Sequence, residues 1–169
     1  MAAPKVLSIV GKSGSGKTTL IERILPLLKA RGLKVGTLKH DVHGFTMDHE
    51  GKDTYRHFAA GADRVVIAGP AETAFRERNA GPPESKDLLA RFMDGMDLVL
   101  TEGYKTGSWP KVEVVRRARS GAPLCAGDPE LRALVTDLEG PWDLPVFGLD
   151  EAEAVAAWIA EAFLREEEP

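Results

Sequence analysis

The sequence predicts an α/β fold with a mainly parallel sheet and helices on both faces. A short apolar run, Lys5 to Val10, is followed by a loop of glycines and serines and then by a helical pattern from Thr18 to Ala30. A second apolar run, Leu33 to Leu38, comes next, so the chain opens in the order strand, loop, helix, strand. That order is typical of a parallel βαβ unit.

The helix after the loop is indicated by apolar residues at helical spacing, which form a single stripe. Its end is indicated by Arg31 and Gly32, a basic residue in the last turn with glycine just beyond it. Pro26 lies inside the pattern and predicts a kink. The stripe consists of Leu20, Ile21, Ile24, Leu25, Leu27 and Leu28.

The remaining apolar runs alternate with polar segments, which again favours an α/β fold. The stretch 71–86 has two prolines, several charges and weak β signal at Thr73 to Phe75, and it is consistent with a β-flap. Helices are expected at Thr54 to Ala60, Asp87 to Met93 and Glu151 to Arg165. Strands are expected at Arg64 to Ala68, Leu98 to Thr101, Val112 to Val115, Leu134 to Val135 and Pro145 to Phe147.

Length and composition predict one globular domain, residues 1–165, followed by an acidic tail, 166–169. The chain has 169 residues, 43% of them hydrophobic and 28% charged. No run approaches the roughly 18 apolar residues of a membrane span, and the N-terminus lacks the features of a signal peptide. The net charge of −4 gives no basis for broad nucleic-acid binding. The single cysteine, Cys125, excludes an intrachain disulfide, so a reducing cytoplasm is expected.

The loop from Gly11 to Thr18 reads GKSGSGKT and matches the phosphate-loop pattern G-x-x-x-x-G-K-[ST] at every fixed position. Its glycines allow backbone N–H groups to converge on phosphate oxygens, and the following helix adds its positive N-terminal dipole. We expect Lys17 to reach the β- and γ-phosphates, Thr18 to ligate Mg²⁺ and Thr19 to contact the α-phosphate. The expected nucleotide-binding loop consists of Gly11, Lys12, Ser13, Gly14, Ser15, Gly16, Lys17, Thr18 and Thr19. The pattern therefore predicts a P-loop nucleotide-binding fold.

Two interpretations of Lys12 are open. In dimeric ATPases with a deviant phosphate loop, a lysine at this offset reaches the nucleotide of the partner subunit. The second glycine of that pattern is Ser13 here, so the match is partial. A solvated lysine on the loop is the simpler reading.

Two carboxylates are candidates for ordering Mg²⁺ or the attacking water beside the phosphate loop. Glu102 ends the apolar run Leu98 to Thr101 and precedes Gly103, which places it at the carboxyl edge of a parallel sheet. Asp41 follows the second predicted strand at the same edge. Both are expected as metal ligands and, with Lys17, as catalytic residues. The alternatives are a solvent-facing strand end for Glu102 and a turn aspartate for Asp41.

The segment 39–53 contains three of the four histidines, His40, His43 and His49. Their spacing matches no familiar zinc pattern and no cysteine is near, so a donor-rich loop over phosphates is favoured over a structural zinc site. Lys39 and His40 are the expected contacts to phosphates or substrate.

Five segments together resemble a known family. Taken in order, they are similar to segments of the molybdopterin-guanine dinucleotide biosynthesis protein B family, MobB. The five segments read GKSGSGKTTL, TLKHDVHGF, DTYRHFAAGAD, VLTEGYK and KVEVVR. The phosphate loop is generic, whereas KHDVHGF and TEGYK are the specific part.

The resemblance implies an adapter in molybdenum cofactor maturation that binds guanine nucleotide with Mg²⁺ and hydrolyses GTP weakly. It implies a homodimer and a guanylyltransferase partner that joins GMP to molybdopterin. Carried over by position, Asp41 and Glu102 fall at the magnesium or hydrolysis positions, and Lys39–His40 begins a switch-like loop.

Guanine recognition has little support in the sequence, because the usual N-K-x-D motif is not present. Asp137, after the apolar Leu134 and Val135, is the best substitute. A carboxylate accepts two hydrogen bonds from guanine N1 and N2 that adenine cannot offer. An ordinary loop aspartate is the alternative reading.

A small-molecule ATP-dependent kinase is the competing function. It would use the same phosphate loop, with Asp41 or Glu102 as the base and the segment Phe75 to Arg78 as a lid whose arginines stabilise the transferring phosphoryl group. A nucleotide-gated scaffold without hydrolysis is a third reading. Turnover in the absence of an acceptor separates the kinase from the adapter.

Overall fold

The computed structural model describes residues 3–41 and 44–165. The chain divides into two compact units, one formed by the residues up to His40 and from Leu89 onward, the other by Asp41–Leu88. The two units are described separately, so the expectation of a single domain stays a prediction. The expected acidic tail, 166–169, lies outside the described residues.

Eight strands and four α-helices are described, and a short 3₁₀ helix follows the last of them. In chain order they are β1 (Lys5–Val10), α1 (Lys17–Ala30), β2 (Val35–Lys39), α2 (Asp53–Ala59), β3 (Arg64–Ala68), β4 (Thr73–Glu77), α3 (Ser85–Phe92), β5 (Leu98–Glu102), β6 (Lys111–Val115), β7 (Leu131–Thr136), β8 (Val146–Phe147), α4 (Ala152–Glu161) and the 3₁₀ helix Phe163–Arg165.

The first unit contains a six-stranded sheet in the order β2-β5-β1-β6-β7-β8. All its pairings are parallel, which confirms the predicted α/β class. The strand that leads into the phosphate loop, β1, lies inside the sheet between β5 and β6. The carboxyl ends of β2, β5, β1 and β6 therefore meet at one edge, where α/β proteins bind ligands.

Every second residue of the inner strands packs against α1 and α4 in one apolar core. From α1 the buried residues are Leu20, Ile21, Ile24 and Leu28, which are four of the six residues of the predicted stripe. The strand residues in this core are Leu7, Ile9, Leu98, Leu100, Val112, Val114, Ala133 and Val135. A strand periodicity of two and a helical stripe thus meet on one face of the sheet.

Two buried charges hold β6 in place. The ammonium group of Lys111 donates to the carbonyl of Gly107 at 2.7 Å and lies 3.1 Å from Asp128 Oδ2. The backbone N–H of Glu130 and this ammonium group lower the pKa of Asp128. The carboxylate of Glu113 accepts the N–H groups of Leu124 (2.6 Å) and Cys125 (2.8 Å). Burial, chiefly, raises the pKa of the Cys125 thiol to about 11, so the thiol is protonated at neutral pH.

Element boundaries differ from the predicted ones by a few residues. The first helix begins at Lys17 and continues through Pro26 to Ala30 as one helix. Strand β5 includes Glu102, which therefore belongs to the sheet rather than to the loop that follows it. The predicted C-terminal helix is divided into α4 and the 3₁₀ turn Phe163–Arg165.

The second unit consists mainly of α2 and an antiparallel hairpin of β3 and β4. Strand β4 confirms the β signal predicted at Thr73 to Phe75, and a role of the hairpin as a flap stays a prediction. Arg76 of β4 and Arg78 just after it place their guanidinium groups 3.7 and 4.1 Å from the ring centre of Phe58 on α2. None of the described helices has the length and apolar composition to cross a lipid bilayer.

Candidate nucleotide-binding site

The phosphate loop joins the carboxyl end of β1 to the N-terminus of α1. All three of its glycines have positive φ angles, 138° at Gly11, 72° at Gly14 and 108° at Gly16. Gly16 is the N-cap of α1, so the helix begins at Lys17 with its free N–H groups at the loop. The loop thus has the concave backbone and the helix end that phosphate binding requires.

Lys17 is folded back over this loop. Its Nζ donates to the carbonyl oxygens of Gly11 and Lys12, both at 3.0 Å. No carboxylate among the described residues forms an ion pair with it. The ammonium charge is therefore held over the loop without an acidic partner, which suits it for an anionic ligand.

Gly11 has no room for a side chain. A Cβ at this position would lie 2.3 Å from the backbone oxygen of Val114, and the φ of 138° is strained for any L-residue. We expect Gly11→Ala to lower the free energy of unfolding by at least about 2 kcal/mol. Urea unfolding measures this loss. Gly121→Ala is the control, because a Cβ there would meet nothing within 4 Å, and wild-type stability in Gly11→Ala would contradict the described backbone.

Glu102 lies next to the start of α1. Thr18 Oγ1 is 3.1 and 3.0 Å from the two carboxylate oxygens of Glu102, and Lys39 Nζ is 3.7 Å from Oε1. The sheet explains this meeting, since Glu102 pairs in register with Ile9 of β1 on one side and with Lys39 of β2 on the other. The side chain of Glu102 is only 16% exposed.

These groups fit a magnesium ion. A hydroxyl and a carboxylate within 3.1 Å of each other supply the hard oxygen ligands that Mg²⁺ prefers. Thr18 and Glu102 are the residues of this unit that would hold it. Asp41, the other expected ligand, is the first residue of the second unit, so its metal and catalytic role stays a prediction.

His40 belongs to an aromatic cluster beside Glu102. Its N–H donates to the carbonyl of Glu102 at 3.1 Å, and its ring centre lies 4.9 Å from that of Tyr104. Tyr104 has a left-handed φ of 55° and meets Trp109 edge-on at 5.3 Å. Burial raises the pKa of the Tyr104 hydroxyl. These contacts hold His40 beside Glu102, while the switch-like loop and the substrate contacts from Lys39 and His40 remain predictions.

Asp137 follows β7, two strands from β1. Its Oδ1 accepts the backbone N–H of Arg117 at 2.6 Å, and its carbonyl accepts a guanidinium N–H of Arg117 at 3.0 Å. The side chain is exposed and its second oxygen is not used by these bonds. A role in reading guanine is compatible with this geometry and stays a prediction.

The histidine-rich segment gives no metal centre within the part of the chain that the structure describes, where no three His, Cys, Asp or Glu side chains are grouped to hold an ion. His43 lies outside the described residues. The favoured interpretation of this segment, a donor-rich loop over phosphates, stays a prediction.

Arg116 and Arg119 were not among the residues expected at the site. Arg116 Nε donates to the carbonyl of Ser15 at 3.4 Å, and a Cβ on Gly14 would lie 3.2 Å from Nε and Nη2 of Arg119. The signal was present in the sequence, because the basic run RRAR directly follows the buried strand β6 at the carboxyl edge.

The family model "Molybdopterin guanine dinucleotide synthesis protein B" matches residues 6–137, a range that contains the phosphate loop, Glu102 and Asp137. This chain belongs to the MobB family. Its MobB relatives include the molybdopterin-guanine dinucleotide biosynthesis adapter protein of Haemophilus influenzae, 35% identical over 91% of this chain and 86% of the relative. The adapter protein of the same name from Escherichia coli is 30% identical over 92% of this chain and 91% of the relative.

The solved structures agree with the MobB assignment. The crystal structure of Bacillus subtilis MobB superposes with a TM-score of 0.71 at 29% identity, over 97% of this chain and 99% of that one. The family resemblance expected from the sequence and the P-loop α/β fold are therefore both confirmed.

Proposed function

We propose that this chain is an adapter in molybdenum cofactor biosynthesis that binds GTP with Mg²⁺ and hydrolyses it slowly. It assists a guanylyltransferase that attaches GMP to molybdopterin, and it acts as a homodimer in the cytoplasm. Membership of the MobB family and the adapter names of its relatives support the role in this pathway. The single, buried Cys125 is in keeping with a reducing compartment.

The observation that carries the nucleotide part of the proposal is the contact between Thr18 and Glu102 at the end of the phosphate loop. In a P-loop protein the hydroxyl at this position ligates Mg²⁺, which neutralises phosphate charge when it is bound. Lys17 binds and orients the terminal phosphates. Glu102 holds its carboxylate where it orients a water molecule, and Lys39 supports that carboxylate from the neighbouring strand.

Preference for guanine is assigned to Asp137. Its Oδ1 is fixed by the N–H of Arg117, which leaves Oδ2 to accept hydrogen bonds from a ligand. Guanine offers two donors, N1–H and the 2-amino group, whereas adenine has an unprotonated N1 and no 2-amino group. The same carboxylate therefore favours guanine and disfavours adenine.

The test is a calorimetric titration of the wild-type protein and of Asp137→Asn with GTP and with ATP, each with Mg²⁺. The asparagine keeps the oxygen that accepts the Arg117 N–H and places a donor toward the guanine donors. We expect the wild type to prefer GTP by about tenfold or more, and the variant to lose that preference without losing ATP binding. A wild type that prefers ATP would contradict the proposal. An unchanged preference for GTP in the variant would exclude Asp137 as the guanine-recognising residue and leave the rest of the proposal standing.

The alternative hypothesis, a small-molecule ATP-dependent kinase, has less support than the adapter. Arg76 and Arg78, the arginines of the expected lid, lie on or just after strand β4 and stack on Phe58 within their own unit. Small kinases use an arginine-rich helical lid, whereas this segment is a hairpin strand. Slow GTP hydrolysis with no acceptor present, and no phosphorylated product in a metabolite mixture, is the result that the adapter proposal requires.

A further inference from the structure

Residues Arg116 to Ser120, directly after β6, form a basic turn beside the phosphate loop. Because the sheet order is β5-β1-β6, this turn lies on the opposite side of β1 from Glu102. The backbone N–H groups of Arg119 and Ser120 donate to the carbonyl of Arg116 at 2.8 and 2.9 Å, which closes the turn. The buried charges of Lys111 and Glu113 fix the strand that precedes it.

Two of the three arginines in this turn face the loop. Arg116 Nε lies 3.4 Å from the carbonyl oxygen of Ser15, and its Nη2 would be 3.6 Å from a Cβ on Gly16. Arg119 Nε and Nη2 would each be 3.2 Å from a Cβ on Gly14. Both guanidinium groups are thus in contact range of the glycines at which the backbone curves around its ligand.

The third arginine of the turn is used differently. Arg117 donates to the carbonyl of Asp137 at 3.0 Å and lies 4.0 Å from Glu139 Oε1. Within the described chain, neither Arg116 nor Arg119 has a carboxylate within ion-pair distance. Two exposed guanidinium groups and the ammonium of Lys17 therefore lie at one short loop, and among the described residues none of the three forms an ion pair.

Cationic groups gathered at one loop attract an anion. The planar guanidinium group donates in pairs to phosphate oxygens, and it does so more readily than an ammonium group because it is more weakly hydrated. The ligand that suits the turn is therefore the polyphosphate chain of a nucleotide.

We propose that Arg116 and Arg119 bind phosphate oxygens of the nucleotide from the β6 side and form, with Lys17, a two-sided clamp. The inference rests on the proposed nucleotide function and adds to it a specific pair of residues. In this arrangement Thr18 and Glu102 would ligate the metal on the β5 side of the loop. The two arginines bind the charged phosphate oxygens on the β6 side.

The direct test uses inorganic tripolyphosphate, which has the phosphates but no base. Arg116→Gln and Arg119→Gln should each weaken its binding by roughly five- to tenfold, and the double variant by more than either. Arg117→Gln is the matched control, since it removes the same charge from the same turn but leaves the backbone N–H bond to Asp137. We expect this control to stay within about twofold of the wild type. Arg116→Gln, Arg119→Gln and the double variant are also titrated with GTP, with the wild type as the reference.

A merely structural role for Arg116, holding the Ser15 carbonyl, gives a different result. It predicts a lower melting temperature of the ligand-free protein, and no recovery by Arg116→Lys because lysine lacks the Nε donor. Phosphate binding predicts an unchanged melting temperature and partial recovery of tripolyphosphate affinity by the lysine variant. A lower melting temperature without that recovery overturns the assignment of Arg116.

The two proposals fail in different ways. If the wild type binds neither tripolyphosphate nor a nucleotide, the nucleotide function fails and the clamp fails with it. If the wild type binds GTP and the double variant binds GTP and tripolyphosphate as tightly as the wild type does, the clamp alone is overturned. A loss confined to the arginine variants that face the loop supports it.

Discussion

Replacing Lys17 by alanine is expected to weaken GTP binding by about 100-fold. Charge-assisted hydrogen bonds to phosphate contribute roughly 1.5–3 kcal/mol each, and the flexible ammonium group can offer more than one. This ammonium group also donates to the carbonyls of Gly11 and Lys12, so its removal costs contacts within the loop as well as contacts to the ligand. Calorimetric titration with GTP and Mg²⁺ measures the loss directly.

Lys29→Ala is the matched control for this variant, because Lys29 lies in the last turn of the same helix and is exposed. We expect its affinity for GTP to equal that of the wild type. Lys17→Arg adds a second comparison, since it keeps the charge but changes the shape of the donor, and it should recover only part of the binding. Wild-type affinity in Lys17→Ala would show that the loop does not bind the terminal phosphates.

The phosphate loop could be placed from the sequence because its determinants are local. A buried strand, a run of glycines and a helix that begins at Lys17 follow one another along the chain, and each is specified by its own residues. Glu102 could be placed at the same edge for a related reason, because the carboxyl ends of all strands in a parallel sheet lie at one edge. Its contact with Thr18 then depends only on β5 being next to β1, as it is here.

Arg116 and Arg119 show where local reasoning stops. Their contact with the loop requires β6 to be the other neighbour of β1, although about 100 residues separate Arg116 from Ser15 in sequence. Neighbouring strands in a parallel sheet are set by the packing of crossovers, which no single segment encodes. A basic run after a buried strand signals the carboxyl edge but does not say which loop it will meet.

The last helix illustrates a second limit. The apolar pattern from Glu151 to Arg165 is continuous, yet α4 ends at Glu161 and Phe163 enters the core through a 3₁₀ turn. The ring centres of Trp158 and Phe163 lie 5.9 Å apart, and Lys5 Nζ donates to the carbonyl of Phe163 at 3.2 Å. Tertiary contacts to β1 therefore change the helix end, which the periodicity alone could not show.

Replacing Glu102 by glutamine is expected to lower the rate of GTP hydrolysis by about 100-fold or more, with less than about fivefold change in GTP affinity. Glutamine keeps the shape of the side chain and one oxygen to accept the Thr18 hydroxyl, but it removes the negative charge. Lys39, now 3.7 Å from Glu102 Oε1, would face a neutral amide instead of a carboxylate. Water orientation and metal binding both depend on that charge, whereas the phosphates are bound mainly by the loop and its cations.

Phosphate release in single-turnover experiments, with affinity measured separately, distinguishes the two effects of this change. Glu153→Gln on the exposed side of α4 is the control for loss of one negative charge, and it should hydrolyse GTP at the wild-type rate. Normal hydrolysis in Glu102→Gln would exclude Glu102 as the essential carboxylate and would leave Asp41 as the remaining candidate. A parallel fall in affinity and rate would instead show that Glu102 acts already in the bound ground state, because a group used only in the transition state changes the rate alone.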